Sequence, residues 1–386
     1  MSGPSVREEG AASLPEPERE PGREPGPERA PEPGTGSGAR EVRLPVPWAR
    51  RFAARVLEAA GASAENAGAL AEALVDADMQ GIGTHGLGRL AAYARRIELG
   101  LMDGRAKGRV VRRMPAAAAI DGQNGIGQVI GLRAMDLALE IAGEAGVGVV
   151  AVRRSNHFGV AGYFCERAAA AGAIGIAMTN SPSGIPPAGG TEPYFGTNPI
   201  AAAIPVAGRP PVVIDVSASV VARGNIIMAA KTGRPIPLGW AIDRDGNPTT
   251  DPEAAITGAV LPMAGHKGYA LALLVEALAG VMAGAAFGPR VGGMYGDAPG
   301  SDTGHLFMAI DPASFGERDV FFQRMAQMAS EIESVRPAPG GGPPRLPGDR
   351  RHANRQRSLK HGIEIPVEVA RELAELGERL GVPFHP

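Results

Sequence analysis

Apolar residues recur at helical spacing over Trp48–Ala60 and again over Ala64–Met79. A third helical run, His85–Leu99, follows a break at Gly81 and Gly83, so the folded chain opens near Val42 with a helical block. From about Arg109 the texture changes. Val110–Met114 and Ala117–Asp121 read as short strands, Gly131–Ala145 as a helix, and Val147–Val152 as a buried strand. That strand runs into Ser155-Asn-His-Phe-Gly159, then a helix over Ala161–Ala171 and a strand over Ile174–Thr179. His157 therefore sits where strand gives way to helix, a place where α/β proteins collect phosphates and reacting groups.

Asn180–Pro199 is a long polar loop containing Gly196-Thr-Asn-Pro199, and loops of that length without structure of their own are usually functional. Strands follow over Ile200–Ile204 and Val212–Asp215, the second ending in Asp215-Val-Ser-Ala-Ser219. Tyr269–Phe287 is apolar with Glu276 as its one charge; Ala and Gly dominate it, so it reads as a helix buried in a core and not as a membrane span. Thr303–Ile310 reads as a strand and Val320–Val335 as an amphipathic helix. A Pro/Gly loop runs to Arg351, and Pro366 suits the first position of a last helix, Val367–Leu380.

Residues 1–40 hold eight Pro, eight Glu, seven Gly and five Arg and almost no large apolar side chain, which predicts a disordered tail. The 386 residues could fill two domains, and the net charge of −2 gives no reason to expect nucleic acid or an anionic membrane as a partner. The single cysteine, Cys165, rules out an intramolecular disulfide and suits a reducing cytoplasm; an Ala-rich helix around it predicts a buried, inert thiol. No secretory leader precedes the folded block.

His85, Arg89 and Tyr93 are spaced by four, so a helix beginning at an N-cap Thr84 would show them on one face. Arg89 could grip a small carboxylate while His85 or Tyr93 handles a proton. The same residues also suit a solvated face and a capping histidine, and alone they do not choose between these. Gly81-x-Gly83-x-x-Gly86 matches the dinucleotide fingerprint formally, but it follows a helix and carries Thr-His where a phosphate would approach, so it is rejected. Lys267, like Arg89, is a cation at a helix start, which points to an anion there or to an ordinary surface lysine. No histidine pair has metal-ligand spacing with an acidic helper, so no metal is expected, and there is no Gly-x-Ser-x-Gly elbow.

Seven motifs occur in order: Gly81-Ile-Gly-Thr-His-Gly-Leu-Gly-Arg89 preceded by Asp78, Asn156-His-Phe-Gly-Val-Ala-Gly162, Thr179-Asn-Ser181, Gly196-Thr-Asn-Pro199, Gly239-Trp240, Pro248-Thr-Thr-Asp251 and Lys267-Gly268. Together they resemble the malate/L-lactate dehydrogenase family that lacks a Rossmann fold, over about residues 42–386. The resemblance implies an α+β fold: a mixed, mostly antiparallel cofactor sheet (109–315) with a helical domain built from both chain ends (41–108 and 316–386), in a homodimer. It implies hydride transfer between NAD or NADP and the α-carbon of a small 2-hydroxy/2-oxo acid. His85 matches the family's proton donor/acceptor, beside Thr84, and His157 a second candidate for that role. Arg89 matches the carboxylate-binding residue, with Tyr93, Thr197 and Asn225 on the substrate side. Phe158, Gly159, Ala161, Gly162, Ser181, Asp215, Val216, Ser217, Lys267, Gly348 and Asp349 match cofactor-contacting segments. Asn225 stands where the Δ1-piperideine-2-carboxylate reductase of the family has an acid, which places a cyclic imine second as substrate. A hydrolase working through Thr84 and His85, or a cofactor-binding protein without turnover, ranks below both.

Overall fold

The computed structural model describes residues 41–295 and 300–386; the tail expected over residues 1–40 lies outside them. The chain enters as strand β1 (Glu41–Leu44) and helices α1 (Val46–Ala59) and α2 (Ala64–Met79), the latter capped by Ser63, whose hydroxyl accepts from Asn66 N at 3.3 Å. Helix α3 (Leu90–Glu98) completes the block. Its core joins Phe52, Leu70, Leu74, Leu87 and Leu90.

The sheet region follows as β2 (Arg109–Arg113), β3 (Ala117–Asp121), α4 (Gly127–Ala145), β4 (Val147–Ser155), α5 (Ala161–Ala170), β5 (Ile174–Thr179), β6 (Ile200–Val206) and β7 (Arg209–Val216). A smaller unit contains α6 (Arg223–Lys231), β8 (Ala241–Ile242), β9 (Pro248–Thr249), α7 (Pro252–Thr257) and β10 (Ala259–Val260). Helix α8 (His266–Val275) continues into a π-helical segment, Glu276–Met282, and β11 (Thr303–Ile310) returns to the sheet. Helices α9 (Arg318–Glu333) and α10 (Asp349–His361), strand β12 (Ile363–Pro366) and helix α11 (Val367–Arg379) close the chain.

The large sheet has the order β2-β3-β4-β11-β5-β6-β7, and every neighbouring pair is antiparallel except β3–β4. It is therefore the mixed, mostly antiparallel sheet expected, with no Rossmann strand order. Side chains alternate across it. Val150, Val152, Phe307 and Ala309 pack under α4 and α5, while Val149, Ala151 and Leu306 meet Val275 and Ala279 on the other face.

Both chain ends reach the helical block: β1 pairs antiparallel with β12, and Leu373 and Leu376 of α11 enter the first core. Helix α9 does not. Its stripe of Met325, Ala326, Ala329 and Ile332 covers Ile204, Val206 and Val212 at the sheet edge, where β6 and β7 leave apolar surface to be buried.

Three further expectations change. No helix begins at Thr84; two 3₁₀ turns, Gly83–His85 and Leu87–Arg89, precede α3. Residues 349–361 are helical although no apolar stripe marks them, because the segment is almost wholly polar. The apolar stretch from Tyr269 is buried on one side only: Leu273, Leu274, Val281 and Met282 are about half exposed. Among the described residues no helix is long and apolar enough to cross a membrane.

Glu276 is 4% exposed and is satisfied by neutral donors: Asn198 Nδ2 at 2.6 Å, Gly288 N at 2.9 Å and Asn180 Nδ2 at 3.2 Å. This network ties both ends of the Asn180–Pro199 loop to the helical rod that follows α8. Glu276→Ala strands buried donors and should lower the unfolding free energy by about 3 kcal/mol, read from urea denaturation; a midpoint like wild type would contradict it.

Candidate active site

The loop between α2 and α3 is shaped by one carboxyl. Asp78 Oδ2 accepts from Leu87 N at 2.8 Å, and a Cβ built on Gly86 would fall inside the Asp78 carboxyl, so glycine is required there. The two turns it pins carry the chemistry. Thr84 Oγ1 lies 3.0 Å from His85 Nδ1, so the threonine meets the histidine instead of capping a helix. Arg89 Nε donates to Thr84 O at 2.7 Å, and its guanidinium lies 5.3 Å from the centre of the Tyr295 ring and 3.7 Å from Met294 Sδ. Among the described residues Arg89 has no acidic partner, whereas Arg351 pairs with Asp215 and Arg355 with Asp76 and Glu166.

His157 comes to the same place from the sheet. A Cβ at Gly127, the first residue of α4, would collide with the carbonyl oxygens of Asn156 and His157, so α4 starts against the backbone that leaves β4. Asn156 Nδ2 fastens that backbone by donating to Gly125 O at 2.9 Å and Asn124 O at 3.0 Å. The His157 and His85 rings stack with centroids 5.4 Å apart and an interplanar angle of 21°. Behind His157, Tyr93 Oη lies 2.7 Å from Nδ1, and Gln128 Nε2 donates to Tyr93 Oη at 2.6 Å. Tyr93 is completely buried and touches His157, which makes it a support of the histidine and not a wall of the substrate site.

Burial sets the charge state. It pushes His85 down to about 4, with the Arg89 cation adding to the effect, and pushes His157 well below the ordinary histidine range, with His85 next in importance. Burial raises Asp78 to about 7, opposed by the Leu87 N–H. His305, between Ser155 Oγ (2.8 Å) and Thr179 Oγ1 (2.7 Å) and stacked on Phe158, is pushed down to about 3 by burial. Two neutral imidazoles beside an unpaired guanidinium form a site prepared for an anion that can exchange a proton.

The remaining expected residues fall in three places. Asn225 lies in the first turn of α6, and a Cβ on its neighbour Gly224 would touch Thr84 Cγ2 at 3.5 Å, so this turn borders the histidine loop. Gly162 N donates to Asp215 Oδ2 at 3.1 Å, beside Arg351 Nη1 at 2.9 Å; Gly348 packs on Val213 nearby, and Asp349 takes Leu346 N at 2.8 Å and Arg209 Nη2 at 3.0 Å. Ser181 Oγ is 3.5 Å from Thr197 Oγ1, Thr197 O accepts from Ala218 N, and Ala218 O accepts from Met263 N, which links Ser217 and exposed Val216 to the start of α8 with exposed Lys267. Phe158 and Ala161 are 2% exposed, so their side chains belong to the core and only their backbone can meet a ligand; Gly159, at φ 81°, makes that turn.

Four contributors were not assigned from sequence. Asp78 and Arg351 stood inside quoted motifs without a role, Tyr295 follows no motif, and Gln128 is a lone polar residue on the inner face of α4 between Ile126 and Ile130. That last pattern is a usable signal.

Residues 45–374 match the model of the malate/L-lactate dehydrogenase family. The chain is 38% identical over 333 residues to the malate/(S)-sulfolactate dehydrogenase of Methanothermus fervidus, covering 86% of this chain and 96% of the relative. It is 40% identical over 329 residues to the NADP-dependent (2R)-3-sulfolactate dehydrogenase of Chromohalobacter salexigens, covering 84% and 95%. The solved sulfolactate dehydrogenase of Methanocaldococcus jannaschii superposes with a TM-score of 0.83 at 37% identity, covering 89% of this chain and 98% of that one. The chain belongs to the malate/L-lactate dehydrogenase family and is an NAD(P)-dependent 2-hydroxy acid oxidoreductase.

Gly86→Ala should lower the unfolding free energy by about 1–3 kcal/mol, since a methyl group must displace the Asp78 carboxyl, and should displace His85 and Arg89 with it. Calorimetry together with turnover checks this; a stable, active variant would contradict it. The buried histidines also fix a pH dependence. The unfolded chain protonates His85, His157 and His305 near 6.5 while the folded chain does not. Their contribution is complete above that pH and declines on acidification, down to about 4 for His85 and about 3 for His305, by about 1.4 kcal/mol per pH unit for each proton. Asp78 acts oppositely, favouring the fold below its ordinary 3.8 and losing that contribution as pH rises through about 7. Three histidines outweigh one carboxyl, so the urea midpoint should fall between pH 7.5 and pH 5; a rise would contradict the assignment.

Proposed function

We propose that Arg89 holds the carboxylate of a small 2-hydroxy or 2-oxo acid, of the malate, lactate or sulfolactate kind, while a neighbouring histidine exchanges the proton of its α-oxygen. The observation that carries this is Arg89 itself: a cation with no acidic partner among the described residues, beside two histidines held neutral by burial. A bidentate carboxylate on the guanidinium would bring the adjacent carbon and its oxygen up to the histidines. The same anion would raise the histidine pKa values, so that a proton becomes available during reduction and a base during oxidation.

A nicotinamide dinucleotide, NAD or NADP, supplies or takes the hydride when bound. The residues fit such a group. A cleft of about 540 Å³ walled by Pro187, Val220, Leu261, Pro262 and Tyr269 runs past His266, the first residue of α8, next to the exposed Lys267. A helix start carrying a free cation suits a diphosphate, and Ser181, Asp215, Val216, Ser217, Gly348 and Asp349 complete the proposed contacts. In this reading the sheet region 109–315, with α9 on its edge, carries the cofactor, and the helical parts 41–108 and 349–386 supply the remaining wall. The enzyme is proposed to be cytoplasmic, in keeping with its single buried thiol. It is proposed to work as a homodimer, because Ile227 and Met228 of α6 and Leu273, Leu274, Val281 and Met282 of the α8 rod are exposed apolar surface that a second copy would cover.

The test follows reduced-nicotinamide absorbance with NADH and NADPH against oxaloacetate, pyruvate, 3-sulfopyruvate and Δ1-piperideine-2-carboxylate. Turnover of a 2-oxo acid that falls by about 10³-fold or more in Arg89→Ala is expected. Turnover of the imine alone would make the cyclic-imine reaction the function, and no turnover with no cofactor binding would overturn the proposal.

A further inference from the structure

The His85 and His157 rings stack on one another, and the groups behind them differ. Thr84 Oγ1 has no hydrogen bond among the described residues other than the one to His85 Nδ1, so it can donate or accept and leaves His85 free to take either tautomer. The group behind His157 is not free. Tyr93 Oη already accepts from Gln128 Nε2 at 2.6 Å, and its own proton has two destinations: His157 Nδ1 at 2.7 Å or His157 O at 3.4 Å. The shorter contact wins by ordinary hydrogen-bond distance criteria. Gln128 is completely buried and its Oε1 has no partner; turning the amide over would strand both N–H donors instead of one N–H and the carbonyl oxygen, and a buried orphan N–H is the costlier of the two.

We infer that Gln128 and Tyr93 are positioning residues that hold neutral His157 with its proton on Nε2, so that His157 donates a hydrogen bond to the substrate oxygen and His85 exchanges the proton. With its one lone pair on Nδ1 occupied by the tyrosine proton, His157 has no site to accept a proton from a substrate in front of it. Passing its Nε2 proton forward and drawing on Tyr93 would leave a buried phenolate, which burial disfavours. In oxidation the hydroxyl proton therefore passes to the free lone pair of neutral His85, while an oxidised nicotinamide, when bound, would take the α-hydrogen as hydride and the C–O bond would become a carbonyl. Reduction reverses each step, starting from protonated His85. This assignment rests on the hydroxy-acid dehydrogenase reading above.

Nitrogen NMR of the full chain labelled with ¹⁵N-histidine, with His157→Gln to assign the resonance, reads the tautomer without turnover. Wild type should show His157 protonated at Nε2 and bare at Nδ1. Gln128→Glu offers an acceptor to the Tyr93 proton, reverses the chain of bonds and should move His157 to the Nδ1–H form; Tyr93→Phe should give a mixture. In turnover, His157→Gln keeps an N–H in front of the substrate and should retain activity within about tenfold, whereas His85→Gln should lose about 10²–10⁴-fold. An Nδ1–H His157 in wild type, a spectrum unmoved by Gln128→Glu, or a His157→Gln variant as inert as His85→Gln would each overturn the inference. Failure of wild type to turn over any hydroxy acid would overturn the function it rests on, while the spectrum would still decide the tautomer.

Discussion

The first turn of α4 is the wall that two cores share. Ile126, just before it, packs with the helical block, while Ile130, one turn on, packs with the sheet. Between them, Gly127 presses on the backbone of Asn156 and His157, and Gln128 reaches Tyr93. Interiors pack at crystal-like density, so a displacement of this turn is transmitted to both sides. The histidine that leaves the sheet and the histidine on the helical loop are brought into register by that single contact. Neither core could move relative to the other without parting the stacked rings.

The site so formed is electrostatically unfinished. Three half-buried cations are matched: Arg355 by Asp76 and Glu166, Arg351 by Asp215, Arg209 by Glu333 and Asp349. Among the described residues Arg89 meets a backbone carbonyl, an aromatic face and a thioether. A half-buried guanidinium with no acid beside it among the described residues favours the approach of a carboxylate. In the proposed reading, the same anion that satisfies Arg89 would change the proton affinity of the two histidines.

Much of this was legible in the residues. Ile174–Thr179 and Thr303–Ile310 are strands with the bounds their β-rich runs indicate, and α2 begins and ends where the helical spacing of Ala64–Met79 and the Gly81 break place it. His85, Arg89 and His157 meet as the motifs imply. The reason given for the first two was mistaken, however. Spacing by four suggests one helical face, but the local chain is held in 3₁₀ turns by Asp78, a carboxyl that accepts from Leu87 N nine residues on in the space left by Gly86, and no periodicity reports such a contact. Helix α10 was hidden for a different reason: it is polar throughout, and its place is set by ion pairs, Arg355 to Asp76 and Glu166 above all, that exist only after α2 and α5 are in position. The pairing of β1 with β12 joins residues more than three hundred positions apart and has the same character.

Tyr93 shows how burial redirects what a sequence position suggests. Its sequence position beside Arg89 suggests a hand on the substrate, yet a side chain with no exposed surface can act only on what it touches. What it touches is the back of His157, and a phenol that must both accept from an amide and place its own proton is a directional device in a way that the lone Thr84 hydroxyl behind His85 is not. Two imidazoles of equal chemistry are thereby made unequal by the groups behind them. The asymmetry lies in the number of protons each backing group must accommodate, and it would persist whichever small acid the arginine holds.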